Sequence, residues 1–116
     1  MGRLTTHVLD TSRGKPAAGV SVTVYRVDRE RRQIAATVTN DDGRCDRPLL
    51  EGAGLAAGVY ELVFGVGEYF ARSDPSLPDP PFVVDVVLRF GVASPDQHYH
   101  VPLLVSPWSY ATYRGS

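Results

Sequence analysis

Histidine is the side chain whose unperturbed pKa lies nearest neutrality, and the chain carries three of them: His7, His98 and His100. Two stand two apart in His98-Tyr99-His100. On a strand this spacing sends both imidazoles to one face, with roots roughly 7 Å apart. Such a face suits general acid–base chemistry, a neutral imidazole being able to take a proton from water. The spacing is also metal-ligand geometry, with His7 as a third nitrogen. No cysteine or acidic residue at ligand spacing stands near the pair, so no metal is expected. The plainer alternative is a histidine pair that caps a strand end.

Neighbouring residues favour the chemical reading. Pro102 shares the face of His98 and His100 and has no ladder donor, which predicts an edge or an irregular stretch facing an opening. Arg44, just after a turn, offers a planar fork of donors for a carbonyl or an anionic heterocycle. Thr112-Tyr113-Arg114-Gly115-Ser116 carries a phenol, a guanidinium and a hydroxyl. A tail normally frays, but this one follows directly from an aromatic strand and is expected to be pinned. No competing nucleophile motif is present: Gly-x-Ser-x-Gly, a phosphate loop and a glycine fingerprint are all missing. Cys45 has no histidine close in sequence, and Asp41-Asp42 reads as turn chemistry.

These groups need a scaffold, and the punctuation by 11 Gly and 9 Pro predicts short strands of period two, hence an all-β sandwich or barrel. From Thr5 to Asp10 alternation sets Thr5, His7 and Leu9 on one face and Thr6, Val8 and Asp10 on the other. Gly19 to Val27 follows, with Val20, Val22 and Val24 as the core face. Ile34 to Thr39 reads as a third strand and Asn40-Asp41-Asp42-Gly43 as a turn, after which Arg44 opens the next strand. Val59 to Val66 points Tyr60, Leu62 and Phe64 one way and Glu61 the other. Gly67 to Arg72 suits one or two helical turns, stopped by Asp74-Pro75. Phe82 to Phe90, Gln97 to Val105 and Trp108 to Tyr113 complete seven or eight strands with one short helix, in one domain spanning 1–116.

Composition narrows the function classes. Twelve basic against 13 acidic residues, net charge −1, leave no electrostatic footprint for nucleic acid. The densest basic cluster, Arg26, Arg29, Arg31 and Arg32, is interleaved with Asp28 and Glu30 and reads as a solvated turn. The longest apolar runs are three residues, such as Leu62-Val63-Phe64, so no membrane span is expected and the cytoplasm is the default address. A lone cysteine excludes an intrachain disulfide.

Several segments together resemble the 5-hydroxyisourate hydrolases, relatives of transthyretin. They are Thr6-His7-Val8-Leu9-Asp10, Gly14-Lys15-Pro16-Ala17, Asp42-Gly43-Arg44, Gly67-Glu68-Tyr69-Phe70, His98-Tyr99-His100-Val101-Pro102 and Tyr113-Arg114-Gly115-Ser116. The likeness covers nearly the whole chain, and the His-Tyr-His-Val-Pro and Tyr-Arg-Gly-Ser blocks are its specific parts, since transthyretin lacks both. It implies a transthyretin-like (prealbumin-like) two-sheet β-sandwich, a homotetramer with sites where subunits meet, and no cofactor or metal. It also implies hydrolytic opening of 5-hydroxyisourate to 2-oxo-4-hydroxy-4-carboxy-5-ureidoimidazoline. The family's catalytic roles fall on His7, His100, Arg44 and Ser116, and substrate contacts on His7, Arg44, Tyr113 and His98. Two departures stand beside Arg44: Cys45 replaces a commoner small polar residue, and Arg47 adds a second guanidinium. Which histidine is the base is left open.

Two rival readings share the fold. Gly14-Lys15-Pro16, Asp42-Gly43 and Gly58-Val59-Tyr60-Glu61-Leu62 also look like prealbumin-like spacer modules, which predict neither the histidines nor the tail. A non-catalytic small-molecule carrier is the other, but a carrier of apolar ligands gains nothing from imidazoles. The mixed face of His98, His100, Pro102 and Leu104 suits an interface groove better than a core or open solvent.

Overall fold

Alternation of apolar and polar side chains carries through most of the chain, and the computed structural model describes residues 1–115 of it. The strands are β1 (Arg3–Asp10), β2 (Lys15–Pro16), β3 (Ser21–Val27), β4 (Arg31–Val38), β5 (Leu50–Glu51), β6 (Gly58–Phe64), β7 (Val86–Val92), β8 (His98–Val105) and β9 (Tyr110–Thr112). One sheet runs β2-β1-β8-β9 with β5 also on β1, and the other runs β4-β3-β6-β7. Two of the nine strands are two-residue pieces, so the body of the fold is the expected sandwich.

Val20, Val22 and Val24 are fully buried, as are Tyr60, Leu62 and Phe64 on β6. They meet Leu4 and Val8 of β1 and Leu103 and Val105 of β8 in one core cluster. Each such side chain removed from water contributes about 1.5–3 kcal/mol before entropy is counted. Because even-numbered residues of β1 and odd-numbered residues of β8 face this core, Thr5, His7, His98 and His100 are left on the outer face of their sheet.

The single α-helix among the described residues, α1 (Val66–Ser73), buries Val66, Tyr69 and Phe70 and stops at Asp74, before Pro75. Its anchor is Asp10, fully buried at the end of β1. The Tyr69 hydroxyl donates to Asp10 Oδ2 at 2.7 Å, and Ser12 donates through its hydroxyl and amide to Oδ1. Burial, then this hydrogen bond to a carboxylate, pushes the Tyr69 phenol up to about 12.

Five expectations are corrected. Arg44 opens no strand; it makes one isolated antiparallel bridge with His7. β4 begins at Arg31, because a tight turn, Asp28 N to Glu30 O at 3.0 Å, lets the ladder start early. Arg31 is therefore not merely solvated: with Arg89 it holds the buried Glu61 carboxylate, each at 2.7 Å. β7 starts at Val86, and Phe82 stands outside it, exposed. Pro102 lies inside its sheet, on a strand flanked by β1 and β9. It fits there because its backbone faces β9, where its carbonyl accepts the Thr112 hydroxyl at 2.7 Å and no ladder donor is required of it.

Candidate active site

β1 and β8 run parallel, in register Thr5 with His100 and His7 with Pro102; every other named pairing is antiparallel. That register sets the outward side chains of two strands, about 93 residues apart in sequence, side by side. The turn before Arg44 supplies the third wall. Gly43 N donates to Asn40 O at 2.9 Å, while Asn40 Oδ1 accepts from the amides of Asp42 and Arg44. Gly43 has φ +73°, and a Cβ there would run into the Val8 carbonyl, so glycine alone suits the position. Val8 N donates to Gly43 O at 2.8 Å, which pins the turn to β1 with Arg44 opposite His7.

A groove of about 420 Å³ results, lined in part by Thr5, Arg44, Cys45, Arg47, His98 and His100. His7 stands at its margin, joined to it through Arg44. Both Arg44 and Arg47 reach the groove, and the Arg44 charge acts on His7 and His100. Burial first, and the Arg44 guanidinium second, hold His7 below its usual 6.5, against a smaller opposing pull from the Asp42 backbone. His100 is lowered by burial, then by Arg44, His98 and His7. Both shifts favour the neutral imidazole, the form able to accept a proton. Burial pushes the Cys45 thiol up, with Asp46 adding to it, so it is no thiolate nucleophile.

One hydroxyl joins the pair of histidines. Thr5 Oγ1 lies 2.8 Å from His98 Nε2 and 2.8 Å from His100 Nδ1. The tail is pinned against the same strand: Gly115 N donates to His100 O at 2.7 Å. Arg114 lies over the Tyr99 ring at 4.1 Å and donates to Gln97 Oε1 at 2.9 Å. A Cβ on Gly115 would come within 2.8 Å of His100 Cδ2, so the close approach needs glycine.

Of the side chains singled out from sequence, His7, Arg44, His98 and His100 are brought together. Tyr113 is not: it is 61% exposed and lines a different groove, between β7 and β8, with Phe90 and Val101. Ser116 lies outside the described residues. Sequence reasoning passed over Thr5 and gave Gly115 no role of its own. Alternation had placed Thr5 on the face of His7, but its neighbours become visible only with the parallel register. Among the described residues no three His, Cys, Asp or Glu side chains are grouped to hold a metal ion, and no helix is long and apolar enough to cross a membrane.

Fold and groove together define a two-sheet transthyretin-like sandwich with a histidine–arginine cleft on one outer face. Residues 4–115 match the HIUase/Transthyretin family, and the chain belongs to it. A relative from Ralstonia nicotianae named 5-hydroxyisourate hydrolase is 60% identical over 117 residues, covering 100% of each chain. The solved 5-hydroxyisourate hydrolase of Klebsiella pneumoniae superposes with TM-score 0.83 at 35% identity, covering 100% of both chains. A solved (S)-allantoin synthase matches with TM-score 0.93 at 47% identity over 99% of this chain, which spans 44% of that longer one.

Proposed function

We propose that this chain is a 5-hydroxyisourate hydrolase, opening that ring to 2-oxo-4-hydroxy-4-carboxy-5-ureidoimidazoline. The observation that carries the reading is an open groove lined by Arg44 and His100, with His7 at its margin opposite Arg44, in a chain 60% identical to a hydrolase of that name. Water adds to a ring carbonyl: a C–O bond forms, the adjacent C–N bond breaks, and the departing nitrogen takes a proton. One of His7 and His100 removes the water proton and, as the imidazolium so formed, returns a proton to the departing nitrogen, while the other orients the water. Arg44 donates to the oxygen on which charge develops. Substrate contacts extend to His98, Tyr113 and Ser116. Only protein groups are assigned to these steps.

The reading extends to assembly. Phe82 and Trp108 are exposed, with ring centroids 6.1 Å apart, and Tyr110 of β9 and Tyr113 just after it are exposed as well. Apolar surface of this kind beside an unpaired edge strand supports a homotetramer in which Tyr113 reaches a site by way of a neighbouring subunit. The free Cys45 fits a reducing compartment such as the cytoplasm.

Mixing the protein with freshly oxidised urate and following ultraviolet absorbance tests the activity. Decay faster than the spontaneous rate supports the hydrolase. Decay at the spontaneous rate, with ligand bound, would install the carrier; decay at that rate without binding would leave a structural module.

A further inference from the structure

A threonine hydroxyl has one proton and two lone pairs, yet Thr5 Oγ1 lies within 2.8 Å of a ring nitrogen on each of two histidines. It can donate to one of them only, so it must accept from the other. The rings themselves have centroids 6.2 Å apart, too far for a direct hydrogen bond. His100 is half-buried and His98 is exposed, so the hydroxyl links an interior imidazole to one in contact with solvent.

We propose that Thr5 is a positioning residue that couples the two histidines, moving a proton between His100 in the groove and His98 at the surface. The step balances with no co-reactant. Once His100 has taken the water proton at Nε2, its Nδ1–H bond breaks as that proton passes to Thr5 Oγ1, while the Thr5 O–H bond breaks and its proton passes to His98 Nε2, leaving His100 neutral and His98 an imidazolium. His98 then exchanges with solvent, and the reverse transfer reloads His100. A consequence follows for the resting state. If His100 Nδ1–H donates to Thr5, the hydroxyl donates to His98 Nε2, and both rings are Nδ1–H tautomers. If His98 Nε2–H donates instead, both are Nε2–H tautomers. Either way the two rings share one tautomer, and only the first arrangement leaves His100 Nε2 unprotonated as a base.

The role rests on the hydrolase reading, and the experiment separates the two. Nitrogen-15 NMR of the histidine-labelled full chain reads tautomers without turnover; kinetics with freshly oxidised urate reads the reaction. In the unsubstituted protein His98 and His100 are expected to show the same tautomer. Thr5→Val keeps the shape and removes the hydroxyl. It should let the two tautomers become independent and lower kcat about tenfold or more, with KM held, while Thr5→Ser restores both. The charged groups acting on His100 are Arg44, His98 and His7, with Arg3, Asp46 and Arg47 also around the groove. All remain in Thr5→Val. The imidazolium loses an acceptor, so His100 should titrate still lower. A merely loosened site would admit water and move it back up toward 6.5. Opposite tautomers in the unsubstituted protein, or a Thr5→Val variant with unchanged kcat and unchanged His100 titration, would overturn the coupling. Absence of hydrolysis by the unsubstituted protein would instead overturn the hydrolase reading and leave the NMR arm to decide the coupling.

Discussion

Gly115→Ala tests whether the tail works by its fit against His100. A Cβ at Gly115 would sit 2.8 Å from His100 Cδ2 and 3.3 Å from His100 O. Carbon atoms settle at about 3.5–4.0 Å, so either the imidazole or the tail must yield by about 0.7–1.2 Å. A displacement of about 1 Å in a catalytic group can cost on the order of 10²-fold in rate. Stability should respond far less. At most the hydrogen bond from Gly115 N to His100 O is lost, about 0.5–1.5 kcal/mol. Gly54→Ala is the control, since nothing lies within 4 Å of a Cβ there. The assay is steady-state kinetics on substrate generated in place, corrected for spontaneous decay, alongside a thermal melt. Gly115→Ala should lower kcat/KM by about tenfold to a hundredfold with a small shift in Tm, and Gly54→Ala should change neither. A folded Gly115→Ala variant with the kcat/KM of the unsubstituted protein would refute the steric reasoning.

Replacing His7 or His100 by Asn should each lower kcat by ~10²–10⁴-fold, and the double change should cost little more than the worse single one; steady-state rates on folded variants check this. Arg44→Lys keeps the charge and loses the planar fork, so KM should rise and kcat fall together, whereas additivity of the two histidine changes or an indifferent Arg44→Lys would count against a shared site. The two arginines hold the folded pKa of Glu61 below its ordinary value. Its contribution is therefore complete above the unfolded carboxylate range near pH 4.3 and lost as pH falls through the folded pKa. Glu61→Gln should flatten that part of the stability curve, as read by denaturant unfolding between about pH 2 and 7.

How much of this was legible beforehand depended on whether the governing contact was local. Val20, Val22 and Val24 announced a buried face because period two is a property of one strand. Asn40 to Gly43 announced a turn because an amide side chain and a glycine at positive φ are enough to make one. The helix stop at Asp74 and Pro75 was equally local. Thr5 and Pro102 were not of this kind. Both depend on β1 lying parallel to β8, a pairing that the alternation of either strand leaves undetermined. Arg31 is a similar case: its charge pattern looked solvated, and only the ladders β3 with β4 and β3 with β6 bring it to Glu61. The chemistry-bearing residue types could be named from sequence, but which hydroxyl or carboxylate stood beside them was a matter of register.

Arg44 connects the fold to the acid–base work most directly, because one guanidinium acts on two quantities at once. Its charge adds to burial in lowering both His7 and His100, which increases the neutral fraction of each imidazole near pH 7. The same charge offers donors to an oxygen that becomes negative during hydrolysis. These effects pull the same way, since a field that disfavours imidazolium in the resting site favours an oxyanion in the reacting one. Delivering both requires Arg44 to stay opposite His7, and the fold secures this without a strand. Gly43 lets the turn approach the Val8 carbonyl, and the amide of Val8 holds the Gly43 carbonyl. A side chain larger than hydrogen at residue 43 would lift the turn from β1, remove the guanidinium from both imidazoles, and raise their pKa values toward 6.5 as the oxyanion donor is lost. The pH profile of a folded Gly43→Ala variant should therefore move its histidine-dependent limb upward while its plateau falls. An unmoved limb would show that Arg44 does not set the protonation state of the site.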